Sequence, residues 1–182
     1  MDNGKPQRKS TRLQNFDYGT TGAYFITICT RNRMRILSKI SRENLTSADT
    51  VNNFQVVGEV LAPPAPQLSK IGEVVEEQLL DLEARYKNIL IDEYVIMPDH
   101  IHMILIIKNA GGASTSPTMN DVIRAFKSLT SRICKQRFGI ETIFQRSFYD
   151  HVIRDRNDYE TRKKYIYENP IKWYYDKIYE DE

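Results

Sequence analysis

The 182-residue chain is long enough to bury a core and short enough for one domain, and its 41% hydrophobic and 27% charged content exclude extended disorder. Its longest apolar run, "IHMILII", is far below the roughly 20 residues that cross a bilayer, which excludes a membrane-spanning helix there. A net charge of only +2 excludes a histone-like polycation, and two cysteines without CxxC spacing fit a reduced, cytoplasmic protein without a secretory leader.

Charge is unevenly distributed. Residues 1–37 carry seven Lys/Arg against two Asp/Glu, and residues 119–138 carry five against one. Residues 73–93 reverse the sign, with seven acids against two bases. Such segregation can give a nearly neutral protein one basic face suited to a polyanion, although solvated helix faces also segregate charge by chance.

In chain order, residues 1–20 read as a basic, flexible lead-in. "AYFITICT" (23–30) is β-branched and aromatic and predicts a strand, followed by a basic loop at "RNRMRIL". Residues 41–69, polar and then proline-rich, read as an insertion with one short strand at "FQVVGEV". From Ser69, Ile71, Val74, Val75, Gln78, Leu79, Leu82 and Tyr86 recur at helical spacing, with Glu73, Glu76 and Glu77 near the helix start. "ILIDEYVIMPDHIHMILIIKN" predicts two strands joined by a tight turn at "MPDH", and "GGASTSP" a linker. A second helix follows, with Thr118 and Asp121 as a capping box and Gly139 as its stop. "SFYDHVIR" predicts another strand, and the last helix begins near Asn157 or Asp158 and ends against Pro170. The order β, α, β-β, α, β, α is that of an α+β domain on an antiparallel sheet.

Two short stretches carry chemistry. On a strand, His100 and His102 point the same way, roughly 6.5–7 Å apart along the backbone, close enough to share a metal ion. Ile101, Met103, Leu105 and Ile107 occupy the other face. Two half-exposed histidines bonded to backbone would give the same pattern. A Zn site would ask for a third His or a Cys, and His151 is the only other histidine; Mg²⁺ or Mn²⁺ would accept an amide or carboxylate oxygen. In "KKYIYENP", Tyr165 and Asn169 share one helix face, while Tyr167 is turned about 200° away. An ordinary core aromatic is the alternative for Tyr165, and Glu168 is a rival ligand to Asn169. His151 reads as a structural strand residue.

"YVIMPDHIHMILII", "FQRSFYDHVIRDRNDY" and "YIYENPIKW", in this order and spacing, resemble the REP-associated tyrosine transposases of the HUH superfamily of single-strand DNA endonucleases. The likeness covers residues from about 20 to 174 outside the insertion, and departs at Phe144, where many relatives carry tryptophan. It implies a ferredoxin-like antiparallel sheet with packed helices and one domain over 21–174; the insertion at 41–69 and an acidic tail at 175–182 are not hallmarks of that family. It also implies Tyr165 as nucleophile, His100, His102 and Asn169 as ligands of Mg²⁺ or Mn²⁺, and nicking and rejoining of single-stranded or hairpin DNA through a 5′-phosphotyrosine. A non-cutting repeat-binding descendant and a metal hydrolase with a structural Tyr165 are the competing readings. Arg31, Arg33, Arg124, Lys127, Arg132, Arg146 and Arg154 are the candidate phosphate contacts. No nucleotide cofactor and no membrane are expected; a homodimer, with the tyrosine in cis or from a second copy, is left open.

Overall fold

Eight residues rich in β-branched and aromatic side chains form β1 (Gly22–Cys29), the strand on which the sheet is organised. The computed structural model describes residues 21–41, 66–108 and 117–178. The basic lead-in, the "FQVVGEV" stretch, most of the linker and residues 179–182 lie outside them. After β1, residues Arg31–Arg33 make a tight turn in which Asn32 and Arg33 take left-handed φ angles of 53° and 55°. β2 (Ser38–Lys39) then pairs with β3 (Gln67–Leu68), so a two-residue ladder joins the ends of the insertion. The last expected residues of that insertion therefore belong to the folded domain.

α1 (Lys70–Arg85) is capped by Ser69, whose hydroxyl accepts from the Gly72 N–H at 3.0 Å and donates to the Ile36 carbonyl at 2.6 Å. The hydroxyl thus ties the helix start to the segment entering β2. Gly72 is required by that approach: a Cβ there would lie 2.0 Å from the Leu37 carbonyl oxygen. Alanine normally favours a helix over glycine by roughly 0.5–1 kcal/mol. Gly72→Ala is nonetheless expected to destabilise the protein by about 3 kcal/mol, because the clashing atom is backbone. The midpoint and slope of urea unfolding measure this; an unchanged or raised midpoint would contradict the packing.

β4 (Ile89–Ile96) and β5 (His100–Ile107) form the expected hairpin, closed by the Met97 N–H bonding to the His100 carbonyl at 2.8 Å. α2 (Met119–Phe138) begins with the Thr118/Asp121 capping box and ends at Gly139, whose φ of 72° favours glycine. β6 (Tyr149–Ile153) completes a sheet of order β4-β5-β1-β6, antiparallel throughout. With α1 and α2 as its two connections, this is the ferredoxin-like β-α-β-β-α-β plan.

Side chains alternating along β5 divide the core. Ile101, Met103, Leu105 and Ile107 pack with Val75, Leu79, Leu82, Val122 and Phe126 from α1 and α2. Ile104 faces the other way, with Phe25, Val95, Met97 and Ile166. That second face is covered by α3 (Arg156–Ile178), anchored to β4 by the Tyr159–Asp92 and Lys163–Glu93 pairs.

The expected end of this helix at Pro170 is corrected: α3 runs on to Ile178, through the boundary placed at residue 175. A mid-helix proline lacks an N–H and crowds the preceding turn, at a cost of about 3 kcal/mol. Burial of Pro170 and packing of Trp173 on the Phe25–Ile104–Ile166 cluster offset that cost. The sequence rule weighs only the local penalty.

Candidate metal and tyrosine site

The β1–β5 register sets Thr27 opposite His102 and Cys29 opposite His100. Both histidines are buried, 7% and 5% exposed, and their ring centroids approach to 4.5 Å. Each has its Nδ1 engaged. His100 Nδ1 lies 2.5 Å from Asp99 Oδ1, and His102 Nδ1 lies 2.8 Å from Thr27 Oγ1. Such a hydrogen bond at Nδ1 fixes the tautomer of an imidazole and leaves its Nε2 available as a ligand.

Asp99 is itself held. Its carbonyl accepts from the Thr30 N–H and hydroxyl, and its carboxylate meets the Arg33 guanidinium at 3.5 Å. The left-handed Asn32–Arg33 turn brings that guanidinium back to the histidine strand, a local strain of the kind found at functional sites.

α3 supplies the opposite wall. Thr27, Arg33, His100, His102, Tyr149, Tyr165, Asn169, Lys172, Trp173 and Asp176 line one cleft of about 570 Å³. Tyr165 is 40% exposed, and its ring stands edge-on to Phe25 and His102 at 5.8 and 5.1 Å. Asn169, one turn further along, is buried. Lys172 lies 5.9 Å from the Tyr165 ring. Tyr167 does not line the cleft, and neither does Glu168, which is bonded to Lys172 and Lys164. His151 bonds to Asp158 at 2.7 Å and lies near Arg162, linking β6 to α3 outside the cleft.

Among the described residues no three His, Cys, Asp or Glu stand together as a metal site. The cleft offers two imidazoles and the Asn169 amide, with the Asp176 carboxylate also on its lining, a set that fits Mn²⁺ or Mg²⁺ with positions open to phosphate oxygen better than a closed structural Zn site. The cysteines take no part: Cys29 and Cys134 are buried and free, and burial pushes both thiols up.

Burial, the adjacent His100 and the Arg33 guanidinium lower His102 to about 2, so its ring is neutral at physiological pH. Above about pH 6.5 neither the folded nor the unfolded state protonates it, and it has no linkage effect. Below that, only the unfolded state takes the proton, so stability falls as pH falls. Between pH 6.5 and 4.5 the loss is on the order of 2–3 kcal/mol, at 1.36 kcal/mol per pH unit. In urea unfolding with chelator present, the stability lead of wild type over His102→Gln should shrink across that range. A constant lead would contradict the assignment.

The expected phosphate contacts separate into groups. Arg33 lines the cleft, and Arg124, Lys127 and Arg146 surround a pocket of about 570 Å³ between α2 and residues 144–148. The Lys127 ammonium is already engaged by the Gln145, Arg146 and Ser147 carbonyls at 2.6, 2.8 and 3.4 Å, and burial lowers it. Arg31, Arg132 and Arg154 are exposed and line neither space. Sequence reasoning missed Asp99, Thr27, Trp173 and Lys172. Strand alternation could have put Thr27 on the right face, but pairing it with His102 needs the register.

Residues 68–169 match the sequence profile of IS200-like transposases. The chain belongs to the IS200-like transposase family. A Haemophilus influenzae relative described as an uncharacterized protein is 29% identical, over 98% of this chain and 96% of its own length. The Escherichia coli REP-associated tyrosine transposase is 30% identical over 82 residues, which is 45% of this IS200-like transposase and 44% of that protein. A solved REP-associated tyrosine transposase bound to a REP hairpin superimposes with a TM-score of 0.53 at 18% identity, over 88% of this chain and 74% of that one. At that identity the superposition speaks for the shared fold. No described helix of this IS200-like transposase is long and apolar enough to cross a membrane.

Proposed function

We propose that this IS200-like transposase nicks and rejoins single-stranded or hairpin DNA, with Tyr165 as nucleophile and a divalent cation held by His100, His102 and Asn169. The observation that carries this reading is the shared cleft, in which two Nδ1-anchored imidazoles face a half-open phenol and a buried amide on one helix. The chemistry a divalent cation supplies in such a site is polarisation of a phosphoryl oxygen. The protein does the rest. Arg33 and Lys172 place positive charge beside the phosphate, and the Phe25 and His102 rings hold the phenol in position for in-line approach.

The Tyr165 oxygen attacks the phosphorus and its proton passes to water. The bond to the 3′ oxygen breaks and that oxygen takes a proton from water, leaving a 3′-hydroxyl and a 5′-phosphotyrosine. Because the link conserves the phosphodiester, a second 3′-hydroxyl can reverse the step and join strands. Hairpin DNA is the favoured substrate because a protein of the same fold is solved with a REP hairpin.

The test is a 3′-labelled hairpin with unpaired flanks, incubated with the protein and Mn²⁺ and then denatured. A label that stays with the protein supports the reading. Binding without an adduct would point to a non-cutting DNA-binding protein, and free cleaved product to a hydrolase.

A further inference from the structure

Trp173 lines the tyrosine cleft and also a second groove, of about 640 Å³. This groove lies along the β2–β3 ladder and holds Arg35, Lys39, Gln67 and Tyr174 over an apolar lining that includes Ile36. Among the described residues two cations and no carboxylate line it. Its occupant is therefore an anion with a flat apolar part. The Arg35 guanidinium rests on the indole, 5.6 Å from its centroid, while His100 lies 5.8 Å from the same ring. The indole is thus the point where the metal-binding histidines meet the cationic groove.

The geometry points to a nucleotide subsite: the groove receives one unpaired nucleotide next to the phosphate at Tyr165. Its base stacks on Trp173 in place of the Arg35 guanidinium, which joins Lys39 on the flanking phosphate. An exposed cation–π contact is weaker than a base–aromatic stack, so the exchange runs toward the bound state. Arg35 and Lys39 are both exposed. This inference rests on the reading of the chain as a single-strand DNA enzyme, and it adds where the strand runs on leaving the tyrosine.

Trp173 is the sole tryptophan in the chain, so its emission reports on the indole that the groove shares with the tyrosine cleft, and the double variant below assigns the quenching to the groove. The experiment titrates full-length protein with oligothymidylate dT12, following binding by anisotropy of end-labelled DNA and, separately, tryptophan emission with unlabelled DNA. Emission should fall by at least half at saturation. Arg35→Ala/Lys39→Ala should bind at least tenfold more weakly with an unchanged thermal midpoint, and an abasic oligomer of equal length should bind without quenching. Absence of dT12 binding, binding with unchanged emission, or quenching that survives in the double variant at unchanged affinity would each overturn the subsite. The hairpin adduct assay separates the two readings. An adduct with a silent Trp173 removes only the groove. Quenching without an adduct removes the cutting reaction and leaves a single-strand binding site.

Discussion

Tyr165→Phe should abolish the protein–DNA adduct, with cleavage reduced by at least ~10³-fold, while hairpin affinity changes by less than about threefold. The substitution deletes one oxygen and keeps the ring. The edge-on contacts to Phe25 and His102 survive, so stability should move by no more than about 0.5 kcal/mol. Tyr167→Phe, two residues on and outside the cleft, is the matched control and should cut normally. A denaturing gel with 3′-labelled hairpin reads cleavage, and anisotropy reads affinity. An adduct formed equally well by Tyr165→Phe would refute the nucleophile.

The second large effect concerns the ion. Mn²⁺ at about 100 times its dissociation constant should stabilise the protein by about 2.7 kcal/mol, a thermal shift on the order of 5–10 °C for a chain of this size. His100→Ala or His102→Ala should abolish that shift together with the adduct, because neither the remaining imidazole nor the Asn169 amide makes a site without its partner. Asp99→Asn should retain the shift at 10–100-fold higher Mn²⁺, since it weakens the hold on His100 Nδ1 and the pairing with Arg33 but leaves both imidazoles in place. Tyr165→Phe should keep the full shift. Differential scanning fluorimetry across a Mn²⁺ series checks all four variants, and a shift undiminished in both histidine variants would place the ion elsewhere.

Much of the architecture was legible because several local signals agreed. The alternation in "HIHMILII" placed both imidazoles with Ile104 and Ile106 on one face, and Ile101, Met103, Leu105 and Ile107 on the other, as the two halves of the core require. The Thr118/Asp121 pair and Gly139 bracketed α2 because caps are local chemistry. What escaped depends on parts distant in sequence. Pro170 continues a helix only because Trp173 finds a hydrophobic cluster on the sheet. Lys127 reads as a surface cation until three carbonyls from residues 145–147 close around it. Asp99 precedes His100 and, by strand alternation, should point away; the turn that ends β4 brings its carboxylate to Nδ1. The left-handed φ angles at Asn32 and Arg33 have no glycine to announce them. In the cleft, residue types and faces could be read, whereas the hydrogen bonds that orient them could not.

The Thr27–His102 bond joins positions 75 apart, and the phenol arrives later still, from a helix that begins at Arg156. A ribosome making this chain finishes both imidazoles several seconds before it reaches Tyr165, at about 5–20 residues per second. Until α3 docks, the nascent polypeptide carries the histidine pair without Tyr165 or Asn169 beside it. On the proposed reading, a partly made or truncated copy would therefore be unable to cut DNA.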